Sequence, residues 1–370
     1  MMEGQQQPGD AFMDKNWNYS ISRRKALKLT TAALGIGVTG FSVELLAAAT
    51  KAVKFPKGAI IRTLLKDVNP ESLAGGATLF HEHLSMKYPP NAKEHFTDDI
   101  DMMVNEVRAA GKDGVTCIVD GGHADMARNM DALKRIAQES GIAIVASGGY
   151  YMQRTYPVDI ATKSVDQIVD DLVHDAKEQR FGALGEIGQQ GGVLTDDEKK
   201  VFQAVGKAQA RTHLPIFTHN AYTGTRQVAT PVPMDTALRQ LDELEGAGAK
   251  VANVAIGHVC CLDDPDVTIA KQLAKRGVFV GFDRVTIQSI IPDEKRVAMI
   301  MKMVEAGYAD NLLIASDFST PSALKSRNGA GIAQAWTVFG PMLLKAGLPA
   351  GTLHSIMFDN PRRFLAFVPT

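Results

Sequence analysis

From about Lys54 onward, short apolar runs rich in β-branched residues alternate with longer segments whose apolar positions recur every three to four residues. The short runs are Ala77–Phe80, Thr116–Asp120, Ile142–Ala146, Ala183–Ile187, Ile216–Thr218, Val254–Gly257, Val278–Phe282 and Leu312–Ala315. Runs of this length read as strands, and strands alternating with helical patterns predict βα units and a parallel sheet. Eight in succession predict a closed (β/α)8 TIM barrel. Among the helical segments, Val165–Lys177 aligns Val165, Ile168, Val169, Leu172 and Val173 on one face, behind Ser164 as a cap. Asp196–Ala210, Asp264–Lys275 and Asp293–Ala306 open on acidic residues, as the positive end of a helix dipole favours. Gly58–Gly76 predicts a short N-terminal β-hairpin cap. No repeat, low-complexity tract or linker interrupts the pattern, so residues 50–370 read as one domain.

Charge narrows the partners. The 40 basic and 41 acidic residues nearly cancel, which leaves no broad positive field for a phosphate backbone and argues against nucleic acid. The first 49 residues follow a different pattern: a polar leader, then Ser22-Arg23-Arg24-Lys25-Ala26-Leu27-Lys28, an uncharged stretch from Leu29 to Ser42, and Ala47-Ala48-Ala49. This resembles a twin-arginine export signal, with Ala26 where a bulkier apolar residue is common. The resemblance implies cleavage, passage of the folded chain through the export machinery, and a periplasmic location. An N-terminal helix or a membrane anchor is the alternative, but the uncharged run is shorter than the ~20 residues a spanning helix needs. The three cysteines, Cys117, Cys260 and Cys261, contain no Cys-x-x-Cys pair and suggest neither a disulfide framework nor a metal role.

The polar residues at the strand ends carry the chemistry. Side chains alternate along a strand, so His81 and His83 share a face while Glu82 turns outward. The pair ends the first strand, on the rim where barrel active sites form. Glu186 lies on the fourth strand, and His219, His258 and Asp317 follow the fifth, sixth and eighth. Singly, each suits a structural polar residue. Together, four histidines and two carboxylates on one rim would be costly to desolvate with nothing to bind. A single catalytic zinc usually takes three protein ligands, so six suggest two divalent ions sharing a bridging carboxylate, zinc first and manganese or cobalt as alternatives.

With these residues placed, Gly58 to Phe367 resembles the phosphotriesterase family of the amidohydrolase superfamily. The matching pieces are Thr78-Leu79-Phe80-His81-Glu82-His83-Leu84, Ile216-Phe217-Thr218-His219, Ile256-Gly257-His258, Gly281-Phe282-Asp283-Arg284, Leu312-Leu313-Ile314-Ala315-Ser316-Asp317 and Asp359-Asn360-Pro361-Arg362-Arg363-Phe364-Leu365. The resemblance implies that His81, His83 and Asp317 hold a buried metal, that His219 and His258 hold a more exposed one, and that Glu186 bridges them. It further implies that a metal-bridging hydroxide attacks the substrate while Asp317 shuttles the proton. Arg284 matches the lactonase-like branch and would line the leaving-group side, a salt bridge to Asp283 being the structural alternative. Tyr150 and Tyr151, after the third strand, would wall the substrate pocket, with core packing the alternative for one of them. Two departures stand out: the fourth strand has Glu186, as in the phosphotriesterase homology proteins, where the best-known members have a carboxylated lysine; and Cys261 replaces the aspartate of a proton relay.

The expected substrate is therefore a small lactone or carboxylic ester. Phosphotriester hydrolysis, a TatD-type metal-dependent nuclease and a metal-binding protein without turnover are the alternatives. The resemblance also suggests a homodimer, and Phe318–Ala335, rich in Gly, Ser and Ala, reads as a loop after the eighth strand.

Overall fold

The computed structural model describes residues 53–221, 232–288 and 290–370. The export-signal reading, on residues 1–49, lies outside them. An antiparallel hairpin, β1 (Ile61–Arg62) and β2 (Asp67–Val68), precedes the barrel. Eight parallel strands then follow in chain order: β3 (Ala77–Glu82), β4 (Val115–Asp120), β5 (Ala143–Gly148), β6 (Ala183–Gly188), β7 (Ile216–His219), β8 (Val254–Ile256), β9 (Phe279–Phe282) and β10 (Leu312–Ile314). The TIM barrel predicted from the alternating pattern is therefore present. The first and last strands meet through Asp317 N–H to His81 O (3.1 Å) and His83 N–H to Phe318 O (3.2 Å). Barrel closure and site assembly thus use the same residues.

The helices show why local sequence was informative. Ser164 accepts from Gln167 N–H at the start of α3 (Val165–Glu178), after α1 (Ile100–Lys112) and α2 (Met130–Ser140). Thr195 does the same with Glu198 for α4 (Asp196–Thr212), each pair forming a capping box. After α5 (Thr236–Gly246) the prediction needs correcting. The helix expected from Asp264 begins only at Thr268, as α6 (Thr268–Lys275). Pro265 disfavours the helical region at the residue before it, so Asp264 stays outside. Its carboxylate instead accepts from Thr268 (2.9 Å) and Ile269 (2.8 Å), capping the helix from four residues upstream.

The N-terminal end of the barrel is sealed by the hairpin and the chain terminus. Ile60 pairs with Phe367, and Phe364 packs edge-on against Phe80 and Phe279. Asn360 donates to Ala309 O and Leu312 O, both at 2.8 Å, while Arg362 reaches Asp359 and Pro70 O. The Asp-Asn-Pro-Arg-Arg-Phe-Leu motif therefore closes the base, far from the chemistry. At the opposite rim, the segment after Asp317 is pinned to α1: Ser326 N–H donates to Glu106 (3.0 Å) and Lys325 pairs with Asp113. Replacing Asp264 with Ala should lower unfolding free energy by about 1–2 kcal/mol, since two or more amides lose their acceptor; chemical denaturation would show it as an earlier midpoint with unchanged slope.

Candidate metal centre

Glu186 occupies the middle of the site. Its side chain is almost wholly buried, on β6 beside Gly185, where a Cβ would stand 2.2 Å from the Phe217 ring. Only glycine lets the strand approach its neighbour so closely. The two carboxylate oxygens face different partners. Oε2 lies 3.3 Å from His81 Nε2 and 3.5 Å from His83 Nε2; Oε1 contacts His219 Nδ1 and lies 2.9 Å from His258 Nε2. Two trios that share Glu186 follow, His81/His83/Glu186 and Glu186/His219/His258, each with atoms within 4.8 Å of one another, and among the described residues His81, His258 and Asp283 form a third such group without Glu186. Asp317 adjoins the first, its Oδ1 3.0 Å from His83 Nε2 and 4.0 Å from His81 Nε2. The structure thus brings together all six side chains picked out at the strand ends.

Two residues not assigned a role from sequence orient this cluster. Asp283 follows β9 and accepts from His81 Nδ1 (2.8 Å) on one oxygen and from His258 Nδ1 (3.0 Å) on the other. Both imidazoles therefore turn Nε2 inward. Gly257 makes room for it, since a Cβ there would meet Thr218 O at 2.0 Å and Asp283 Oδ2 at 2.9 Å. Glu82 turns away from the cluster as alternation requires, but it is buried: it accepts from Ser316 N–H (3.0 Å), Ser316 Oγ–H (2.8 Å) and Phe318 N–H (2.7 Å). These three donors flank Asp317, whose backbone sits at φ 47°, in the left-handed region that non-glycine residues rarely adopt. The signal for both was their place at a strand end, within motifs already singled out.

Arg284 pairs with Asp317, Nη1 to Oδ2, and not with Asp283. Asp283 is already committed to two histidines, and Asp317 Oδ2 points away from His83. Tyr151 enters the site, its hydroxyl 3.3 Å from His219 Nδ1. Of the two tyrosines, Tyr150 takes the packing alternative and does not wall the pocket. It packs against Tyr156, with ring centroids 6.1 Å apart, because successive residues at the end of an extended segment point to opposite sides. Cys261 is buried with its sulfur 4.0 Å from that of Cys260, and burial pushes its thiol well above its ordinary pKa. The cleft over the cluster measures about 820 Å³ and is lined by His83, Tyr88, Tyr151, Arg154, His219, Arg284 and Asp317, among others.

The electrostatics suit cations. Burial opposes charge throughout, yet Asp317 and Glu186 lift His83 to about 9, and Asp283 with Glu186 lifts His258 to about 9. Burial and the neighbouring His258 lower His219 to about 4. Arg284 and His83 overcome burial to hold Asp317 down at about 2. Glu186 is held well below the usual carboxylate range by His81 and His219 against its burial. Against its burial, Glu186 and Asp283 likewise raise His81 well above its ordinary value, so protons on His81, His83 and His258 balance the buried carboxylates. His81 Nε2 is buried without a hydrogen-bond partner while its Nδ1 is held by Asp283. Nδ1 is thus committed to Asp283 and Nε2 is aimed at the cluster, available to a metal once its proton leaves, and the donor set of imidazoles and carboxylates fits two divalent ions.

Metal uptake must displace the protons on His81 and His83 at the first site and on His258 at the second. Apparent affinity should rise by about tenfold per pH unit at the second site between pH 7 and 9, and more steeply at the first, as chelator competition would measure. Asp283→Asn should weaken metal retention by roughly 10–100-fold, because the histidines lose the acceptor that fixes their tautomer.

Comparison with known proteins agrees with this geometry. The family model for the phosphotriesterase family matches residues 61–365. The phosphotriesterase homology protein of Escherichia coli is 30% identical over 297 residues, covering 78% of this chain and 97% of that protein. Its crystal structure, with phosphate in the active site, superposes with a TM-score of 0.71 at 28% identity, covering 80% of this chain and all of that one. The aryldialkylphosphatase of Saccharolobus solfataricus is 28% identical over 321 residues, 80% of this chain and 96% of its own. The N-acetyltaurine hydrolase of Bos taurus is 27% identical over 358 residues, 83% and 98% respectively. On its fold, on the arrangement around Glu186 and on this match across most of its length, the chain belongs to the phosphotriesterase family.

Proposed function

We propose that the protein is a two-metal hydrolase of small lactones or carboxylic esters. The observation that carries this reading is the division of the Glu186 carboxylate, one oxygen facing His81 and His83 and the other facing His219 and His258. His81, His83 and Asp317 would hold one ion, His219 and His258 the other, and Glu186 both. Two divalent ions there, zinc first with manganese or cobalt as alternatives, would supply Lewis acidity and acidify water at neutral pH.

The chain's own groups do the rest. Asp317, held ionised by Arg284, accepts the proton released as water adds to the carbonyl carbon. With Cys261 buried and its thiol unwilling to ionise, the proton leaves Asp317 on the Arg284 side, which opens into the cleft. Tyr151 brings a hydroxyl beside His219, where it donates to a substrate oxygen. A glutamate at position 186, as in the homology-protein branch, supports esters over organophosphates. On the same reading, the leader at Ser22–Lys28 sends the folded, metal-loaded protein to the periplasm.

Purified protein should carry close to two metal equivalents, and a pH-indicator screen should find turnover among lactones and esters. Asp317→Ala should lower kcat by roughly 10²–10⁴-fold, and His219→Ala should lose both activity and one metal equivalent. Full activity in metal-free protein would sink the reading; hydrolysis of phosphotriesters alone would overturn the substrate class.

A further inference from the structure

The cleft contains a cation that the reaction as described leaves unused. Arg154 stands in the short turn Gln153–Thr155 that follows β5. Its backbone N–H donates to Gln190 Oε1 (3.0 Å), and its Nε–H donates to Tyr88 Oη (2.7 Å). The guanidinium lies over the Tyr88 ring, 5.7 Å from the centroid. These contacts set its plane, yet among the described residues Nη1 and Nη2 make no hydrogen bond and no carboxylate pairs with it. Neighbouring cations differ: Lys87 pairs with Asp98, Arg327 with Glu94 and Arg284 with Asp317. The cleft's other carboxylate, Asp125, is engaged by Tyr151 N–H and the Thr155 hydroxyl, both at 2.8 Å. Residues 222–231, which follow β7, contain no acid in sequence.

A path of aromatic surface connects this cation to the metal centre. The Tyr151 ring lies 4.9 Å from that of His219, and the Tyr88 ring 5.3 Å from that of Tyr151. Arg154 caps the far end. A guanidinium fixed by its Nε–H on the Tyr88 hydroxyl, with two N–H edges uncommitted, is prepared for bidentate binding of an oxyanion.

We propose that Arg154 is a substrate-recognition residue, and that the substrate is an ester bearing a carboxylate or sulfonate remote from the scissile bond, joined by an apolar spacer that crosses Tyr151 and Tyr88. This rests on the hydrolase reading above and narrows it to anionic substrates. Neutral lactones and triesters leave the guanidinium without a partner; an acid tail supplies one.

The test uses metal-loaded full-length protein and three aryl esters: mono-4-nitrophenyl adipate, its methyl ester, and the analogue with a terminal sulfonate. The anionic esters should exceed the methyl ester in kcat/KM by at least roughly fivefold, falling with added salt. Arg154→Gln should bring that ratio to about one, mainly through KM, and Arg154→Lys should keep part of it. Adipate binding, followed by calorimetry, should weaken in parallel. A wild-type ratio near one, or an equal loss on charged and neutral esters in Arg154→Gln, overturns the proposal and leaves the hydrolase reading intact. Adipate binding that depends on Arg154, with no ester hydrolysed, supports the anion site and sinks ester hydrolysis. Neither binding nor turnover overturns both.

Discussion

Glu186 keeps its charge in a place where an isolated carboxylate would cost several kcal/mol, and it does so because imidazoles line both of its oxygens. This constraint organises the rest of the rim. Four histidines must arrive from three strands with ring nitrogens pointing inward, and each needs support on its outer side. A parallel barrel provides that arrangement, since every strand delivers its last residue to the same end. The buried charges are affordable only as a set; removing any one leaves the others uncompensated.

Support comes from acids that do not themselves approach the centre. Asp283 fixes His81 and His258 through opposite oxygens, so one carboxylate sets the orientation of one histidine from each trio. Glu82 clasps the backbone around Asp317 and holds it in a left-handed conformation. Burial pushes the Glu82 carboxyl up to about 7, so the ordinary net value of about 0.5–1.5 kcal/mol per hydrogen bond applies, and three of them match the roughly 1–3 kcal/mol of such backbone strain. The same clasp joins the first strand to the end of the last. Closing the barrel and aiming Asp317 are a single structural event.

The relation to the cleft follows from what these frames leave free. Arg284 is occupied with Asp317, and the thiols of Cys260 and Cys261 are sealed in the wall. Tyr151 spans the boundary, touching His219 on one side and Tyr88 on the other. The chemistry at the floor and the recognition at the rim are thus linked through aromatic contacts carried by the loops after β3 and β5.

The sequence by itself determined the barrel, the helix start marked by Ser164 and the one at Asp196, and the six polar side chains that gather at the rim. These depend on local rules: alternation within a strand, capping within a turn, and the common rim to which parallel strands deliver their ends. Helix α6 lay at the limit of such rules, because Pro265 moved its start while Asp264 still capped it from outside. Which acid serves which partner was settled only by the tertiary structure. Asp283 and Asp317 both lie within reach of Arg284 along the chain or across the rim, and nothing local distinguishes them; Tyr150 and Tyr151 differ only in which side of the segment each occupies. Such choices depend on distances between residues far apart in sequence, such as Glu82 and Ser316, where the cost of leaving a buried polar group unpaired selects one arrangement.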